Sequence, residues 1–321
     1  MMMNHVPVVS VIMPVYNGAR TVKEAIDSVL TQTFFNFELI ICNDASTDET
    51  RDILDSITDN RLRILHNDNN IGGGLSRDRA ISQAQGFWLA VIDADDTWAP
   101  ERLETLLSYG DEESNNFLIF DDVFECHDTP SGMRQWKEMR GRYAFDGNGF
   151  DAVGVTIEKF VCSTRLLIKP LFPLCWIKKY KIFHSTKKFG EDTEFFLRLM
   201  MYGIKLRYVP KPMYYYRITP GSMTSQKNRT NLMIEVLEDA IENFTDRPSI
   251  QAALLKKIAL VSRDDQYMPF IWALKEKKFA KLFQLAGKNP WLISEFFHRA
   301  AQSLPYHIHR LRYGGRTRGI R

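Results

Sequence analysis

An alternation along the first hundred residues constrains the fold most. Short apolar, β-branched runs trade places with stretches whose apolar residues recur at helical spacing. Val8 to Val15 has the composition of a buried strand. Thr21 and Glu24 make a capping-box pattern, after which Val22, Ile26, Val29 and Leu30 line one helical face. Phe37 to Cys42 is a second strand, and Ser46-Thr47-Asp48-Glu49 is a second capping box opening a helix through Ile53 and Leu54. Leu62 to Leu65 predicts a third strand, Leu75 to Ala84 a helix, and Trp88 to Ile92 a fourth strand. Pro100 suits the first position of a helix carrying Leu103, Leu106 and Leu107. Strands separated by helices pair through crossovers, so an α/β fold with a mostly parallel, doubly wound sheet is expected. Ligands of such sheets bind beyond the carboxyl ends of the strands.

Farther along, Phe117 to Phe124 is strand-like with Asp121 and Asp122 inside it. Residues 126–160 are irregular, with Gly132, Gly141, Gly147, Gly149 and Gly154, and suit an acceptor-side loop or lid. Leu166 to Trp176 is apolar but broken by Pro170 and Pro173. Glu191-Asp192 opens a helix whose apolar face is Phe195, Phe196, Leu199 and Met200. Leu206 to Val209 and Met213 to Tyr216 read as closing strands around Pro210 and Pro212. From about Gly221 helical patterns take over, at Asn231 to Phe244, Ile250 to Val261, Phe270 to Leu285 and Trp291 to Leu304. The expected organisation is a domain at 1–224 and a C-terminal all-helical appendage with a basic tail at 225–321.

The fourth strand stops abruptly in Asp93-Ala94-Asp95-Asp96. Two like charges 4 Å apart repel by about 4 kcal/mol at an effective dielectric near 20, so such a cluster calls for a cation. Oxygen ligands suit Mg²⁺ or Mn²⁺, which proteins commonly share with substrate phosphates. The plainer reading is a solvated acidic turn with Asp96 leading into the next helix. Tyr16-Asn17 and Asp44 fall at two other strand ends, so three strand ends give polar groups to one rim.

The net charge of +3 is too small to argue for nucleic acid, and no nucleic-acid partner is expected. Cys42, Cys126, Cys162 and Cys175 lack metal or redox spacing and suit a reducing compartment. No signal peptide and no transmembrane run of about 18 residues is expected. The expected compartment is therefore the cytoplasm, with the protein soluble or peripheral.

The segments VSVIMPVYN (10–17 at its core), ICNDASTDET (41–50), NNIGGGLSRDRAI (69–81), VIDADD (91–96) and GEDTEFFLRL (190–199) resemble, in order, the motif series of family 2 glycosyltransferases. The resemblance covers about Val8 to Thr224. It implies the GT-A fold, which is Rossmann-like, and inverting transfer of a sugar from a nucleotide-sugar.

It places the Pro14-Val15-Tyr16-Asn17 loop against base and ribose, where Tyr16 can stack on a base face for about 1–3 kcal/mol. A carboxylate at Asp44 can accept the ring N–H of uracil; the alternative is an acid stabilised by a helix N-terminus. Ser46, Thr47 and Asp48 read as caps. The glycines of 70–81 allow close approach to a diphosphate, which Arg77 would contact. The family often has Ala-Arg-Asn where this chain has Ser76-Arg77-Asp78. A bare glycine-rich turn is the other reading.

By the same resemblance Asp95 is the metal ligand, with Asp93 beside it as a second ligand or ribose contact and Ala94 in the donor site. The ion would be Mn²⁺ or Mg²⁺, neutralising the leaving diphosphate. Glu191-Asp192 matches the family's Glu-Asp pair, which makes Asp192 the general base and Glu191 a donor-site residue. Helix N-terminal acids placed by the dipole alone are the alternative. Tyr216 to Ser222 resembles a loop closing over the pyrophosphate, with Arg217 and Ser222 toward phosphate. Thr219 stands where many members have a metal-binding histidine. His184 reads as a surface histidine.

Trp291 to Arg321 mixes Trp291, Leu292, Phe296, Phe297 and Tyr306 with six arginines. It suits either an anionic inner-membrane surface, at about 1 kcal/mol per basic residue, or a packed helix with a basic end. The implied partners are a nucleotide-sugar donor, UDP-linked, and a glycan or lipid-linked acceptor of bacterial surface polysaccharide or lipopolysaccharide. The rival readings are a non-catalytic nucleotide-sugar or glycan-binding module, a dinucleotide oxidoreductase and a sugar nucleotidyltransferase. The last two want a glycine-rich loop after the first strand, which here reads Tyr16-Asn17-Gly18-Ala19-Arg20.

Overall fold

The computed structural model describes residues 6–110, 116–128, 134–137, 152–163, 168–187, 189–218 and 229–297. Four strands, β1 (Val9–Val15), β2 (Phe37–Asn43), β3 (Leu62–His66) and β4 (Trp88–Val91), pair in parallel in the order β3-β2-β1-β4. Between them run α1 (Val22–Leu30), α2 (Thr50–Ser56) and α3 (Gly73–Ser82). β1 lies between two parallel neighbours and is covered on both faces, which is why it is apolar without alternation. Its Ile12 joins a core with Ile40, Leu89, Ala80 and Ile81, while Val11 and Met13 pack opposite with Val22, Ile26 and Val29. The chain winds from β1 to β3 and then returns to the far side of β1. Strand order thus reverses at β1, the place where sheets of this kind bind ligands beyond the carboxyl ends of their strands. The register Val15↔Asn43 and Ile12↔Val91 brings Tyr16, Asp44 and Asp93 to that rim.

The other half of the sheet is mixed. β5 (Thr97–Trp98) and α4 (Arg102–Leu107) follow the acid cluster. Two long parallel strands come next in the sheet, β6 (Phe117–Asp128) and β10 (Lys205–Arg217). β7 (Arg134–Lys137) pairs with β6 and β8 (Val153–Val155) with β10, both antiparallel. β9 (Leu171–Pro173) joins the halves, antiparallel to β4 and β6, giving the path β3-β2-β1-β4-β9-β6-β10-β5. α5 (Ile157–Cys162), α6 (Leu174–Tyr180) and α7 (Glu191–Met201) lie between these strands in the chain. The two expected closing strands are one strand, β10, whose register slips at Val209/Pro212 and Pro212/Tyr214, where proline supplies no N–H to the ladder.

Both capping boxes fail. Thr21 and Glu49 occupy the N-cap positions without a side-chain cap bond. Glu24 is drawn instead to Arg217, and Ser46 and Asp48 accept from the backbone N–H groups of Asn17 and Ala19. The would-be caps of α2 thereby fix the loop after β1, although Asp48 also accepts from Thr50 N.

The first compact unit covers residues 1–258 and the second 259–321. α8 (Arg229–Asn243) and the start of α9 (Pro248–Lys275) belong to the first, because Leu237, Ala240, Phe244 and Leu254 share a core with Phe195 and Phe196. Packing therefore divides the chain at 258/259, whereas composition changes near 224/225. α9 runs through Pro269 rather than breaking before it. The second unit has its own small core of Tyr267, Phe270 and Leu292, against which α10 (Phe279–Lys288) sets Leu282 and Leu285. Gly132, Gly141, Gly147 and Gly149, Thr219 and Ser222, and the tail from Arg299 lie outside the described residues.

Candidate active site

The nucleoside side of the rim is built from two loops that hold each other. Asn17 is left-handed (φ 50°), and its Oδ1 accepts from Thr47 N at 2.8 Å while Ser46 Oγ accepts its own N–H at 2.9 Å. The side chain of Asn17 is thus a brace. Tyr16, next to it, is 52% exposed and offers a ring face, while Pro14 is buried within β1. Asp44 is buried, and its carboxylate accepts from Asn67 Nδ2 (2.7 Å), Ile71 N (2.8 Å) and Gly72 N (2.8 Å). Three of its roughly four acceptor positions are engaged, so it shapes the 70–72 turn.

The three acids after β4 have separate fates. Asp96 is fully buried, accepting from Tyr214 Oη (2.6 Å) and Arg217 N (2.8 Å); burial, then Asp95 and Asp93, push its carboxyl well above the usual range. Asp93 gives Oδ1 to Arg77 (2.9 Å) and Oδ2 to Lys169 Nζ (2.5 Å). Burial opposes its ionisation, but those two cations outweigh it and lower its proton affinity. Asp95 has no side-chain hydrogen-bond or ion-pair partner among the described residues, and burial with Asp93 beside it pushes its carboxyl up to about 6. Ala94 between them is buried.

A second group of charges meets Asp93 from elsewhere in the chain. Arg77 of α3 reaches Glu191 Oε1 (3.1 Å) and Asp192 Oδ1 (2.8 Å) at the start of α7. Lys169, just before β9, reaches Asp192 Oδ2 at 3.3 Å. Two cations therefore bridge Asp93 of the acid cluster to Asp192, and Arg77, Lys169, His184 and Asp192 share the lining of one small cleft. Asp192 keeps 30% of its side chain exposed. Burial opposes its ionisation, but Arg77, Lys169 and His184 prevail and hold its carboxyl well below the usual carboxylate range. Gly74 allows this assembly: a Cβ there would stand 3.0 Å from His184 Cβ and 3.3 Å from Ser185 O.

Arg77 is buried among three carboxylates, those of Asp93, Glu191 and Asp192. Arg217 is also buried; its guanidinium donates to Asp128 (2.6 Å), Glu24 (2.5 Å) and the Asp95 carbonyl (2.7 Å). Both oxygens of Asp93 are engaged. Both oxygens of Asp78 are held by His184, which is buried rather than on the surface as the sequence suggested. Lys169 escaped sequence reasoning. Its signal was a lone lysine in the otherwise apolar run Leu166 to Trp176, where a buried ammonium needs carboxylate partners.

Comparison with known proteins bears on the family and the fold. The family model described as "Glycosyl transferase family 2" matches residues 10–190. The succinoglycan biosynthesis protein ExoO of Rhizobium meliloti is 26% identical over 299 residues, 90% of this chain and 83% of the relative. WfaP of Escherichia coli, a UDP-Glc:alpha-D-GlcNAc-diphosphoundecaprenol beta-1,3-glucosyltransferase, is 28% identical over 221 residues, 68% of this chain and 80% of the relative. Among solved structures, residues 1–349 of S. aureus TarS in complex with UDP-GlcNAc superpose with a TM-score of 0.58 at 18% identity, covering 88% of this chain and 91% of that one, a likeness of fold.

Proposed function

Because the chain belongs to family 2 of the glycosyltransferases, we propose that it moves a sugar from a UDP-linked donor to a hydroxyl of a glycan or lipid-linked acceptor, with inversion. The product is a linkage in bacterial surface polysaccharide or lipopolysaccharide, the setting of the succinoglycan and diphosphoundecaprenol relatives. The observation that carries this reading is the cation-bridged pair of Asp93 and Asp192, which holds the donor rim and a partly exposed carboxylate in one cluster. Tyr16 stacks on the base, and Asp44 takes its ring N–H at the remaining acceptor position. Asp192, ionised at every working pH, takes the acceptor proton. It is a weak base, but the hydroxyl grows acidic as its oxygen bonds the anomeric carbon, so transfer late in bond formation suffices.

A metal fits this donor set. Among the described residues no three His, Cys, Asp or Glu form a ready cage, while Asp95 presents a hard carboxylate ligand that no ion pair engages. Such a ligand suits Mn²⁺ or Mg²⁺ shared with substrate phosphates. When bound, the ion would neutralise charge on the leaving diphosphate.

Thermal denaturation with Mn²⁺ and UDP, GDP, CMP or dTDP tests the donor assignment. UDP at 100 times its dissociation constant is expected to stabilise the fold by about 2.7 kcal/mol, in a metal-dependent way. A shift with GDP alone would replace the donor class. Binding of UDP without any turnover of UDP-sugars would favour the non-catalytic module.

The second unit supports peripheral contact with an anionic membrane at the cytoplasmic face. Residues 259–321 hold twelve Lys and Arg against four Asp and Glu. Trp272, Phe279 and Phe283 are exposed there, with Lys278 over the Trp272 ring at 3.8 Å. Among the described residues no helix is long and apolar enough to cross a membrane. The full chain is expected to sediment with phosphatidylglycerol vesicles, less so at high salt, and not with phosphatidylcholine. Equal binding to both lipids, or to neither, would dismiss the contact.

A further inference from the structure

Asp192 has a neighbour that the transfer described above does not use. The His184 ring is buried and stacks on Phe195 at 4.2 Å between centroids, tilted by 9°. Its Nδ1 lies 2.7 Å from Asp78 Oδ1, and its backbone N–H donates to Asp78 Oδ2 at 2.8 Å. Both oxygens of one carboxylate are thus spent on orienting one imidazole. On its other edge, Nε2 stands 3.9 Å from Asp192 Oδ1. A carboxylate at Nδ1 fixes the proton of the neutral ring on that nitrogen, so Nε2 turns a lone pair toward Asp192.

We propose that Asp78, His184 and Asp192 form a proton relay, in which His184 takes from Asp192 the proton that Asp192 removes from the acceptor. The inference rests on the transferase reading. As the acceptor oxygen bonds the anomeric carbon, the bond from that carbon to the diphosphate oxygen breaks and its electron pair leaves with the nucleotide. The acceptor proton passes to Asp192 and then to His184 Nε2. The imidazolium, held between two carboxylates, gives the proton to solvent once the products leave.

The charges around the ring favour this direction. Arg77 of α3 and Lys169 of the segment before β9 line the same cleft as the ring, and Glu191 pairs with Arg77. Arg77 and Lys169 make Asp192 a poor place for a proton to stay, whereas imidazole as a class exchanges protons near neutrality. The 3.9 Å gap exceeds a hydrogen bond by about 1 Å and closes in the loaded complex, as catalytic contacts commonly do. His184 acts through Asp192 and is a positioning residue.

The test uses the full chain with UDP-glucose and UDP-N-acetylglucosamine, water as the acceptor, and released UDP as the readout across about pH 5–8. His184→Gln and Asp78→Asn are each expected to lower kcat about 10²-fold and to reshape its pH profile, with KM for the donor unchanged. Asp78→Asn keeps the ring in place, but the new amide donates to Nδ1 and moves the ring proton to Nε2, where it blocks the relay. The double variant is expected to be no slower than either single one, because both break one unit. Melting temperature and UDP affinity near those of the wild type show that each variant is folded; should His184→Gln fold poorly, Asp78→Asn decides alone. Wild-type turnover matched by both variants at every pH overturns the relay and leaves the transferase standing. Wild-type protein that binds UDP but releases none from either donor overturns the transferase, and the relay with it.

Discussion

Asp192→Asn is expected to lower kcat for sugar transfer by roughly 10²–10⁴-fold while UDP affinity stays within about twofold, because only the proton acceptor is removed. The amide keeps the shape and can still accept from Arg77, but it cannot take the acceptor proton. Removing this charge also leaves Arg77 and Lys169 with less compensation. Cutting one partner from a fully buried pair costs about 3–5 kcal/mol, yet here the loss is smaller. Asp192 is 30% exposed, and Asp93 and Glu191 still answer the two cations. A modest drop in melting temperature with a collapse of kcat is the expected pair of readings, from thermal denaturation and a nucleotide-release assay. A variant with normal kcat would remove Asp192 from the role of base.

Asp95→Asn is expected to move stability and function in opposite directions. The Asp95 carboxyl is pushed up to about 6 in the folded chain, against an ordinary value of 3.8. Each tenfold change in proton affinity corresponds to about 1.4 kcal/mol, so ionising this group costs the fold about 3 kcal/mol. Below about pH 4 both folded and unfolded chains are protonated and the cost is absent. Between about pH 4 and 6 the unfolded chain releases its proton first, so stability falls as pH rises; above 6 the cost is constant. Asp95→Asn removes that cost. Without metal, the variant should melt several degrees higher than the wild type at pH 7 and lose part of the slope between pH 4 and 6. In Mn²⁺ and UDP it should gain little or nothing, because the carboxylate that meets the ion is gone. A variant that melts lower without metal would contradict the stored cost, and one that keeps its full metal-dependent shift would move the metal elsewhere.

Strand periodicity made the parallel half of the fold legible, because β1, β2 and β4 are apolar on both faces and can lie only inside a covered sheet. The mixed half was harder to read. β9 is three residues long, between Pro170 and α6, and nothing local marks it as the strand that joins the halves. The prolines of β10 suggested two strands where bulges keep one continuous. Around the site, sequence placed acids at the right strand ends but could not say which were already spent. Arg77 lies 114 residues from Glu191, and Arg217 lies 193 from Glu24, so whether an arginine meets phosphate or carboxylate depends on a packing that no local pattern encodes. Lys169 and the Asp78–His184 pair were hidden for the same reason. Asp78 did stand out as a departure from the family's pattern, and in the fold both its oxygens meet His184.

The most direct test of the central claim is the time course of nucleotide release from UDP-sugars by the wild-type chain and by Asp192→Asn, in Mn²⁺ and with UDP binding measured alongside. The geometry predicts steady release by the wild type, release slowed by roughly 10²–10⁴-fold in the variant, and UDP bound equally by both. Equal rates in the two proteins, or none in either while UDP binds, would contradict it.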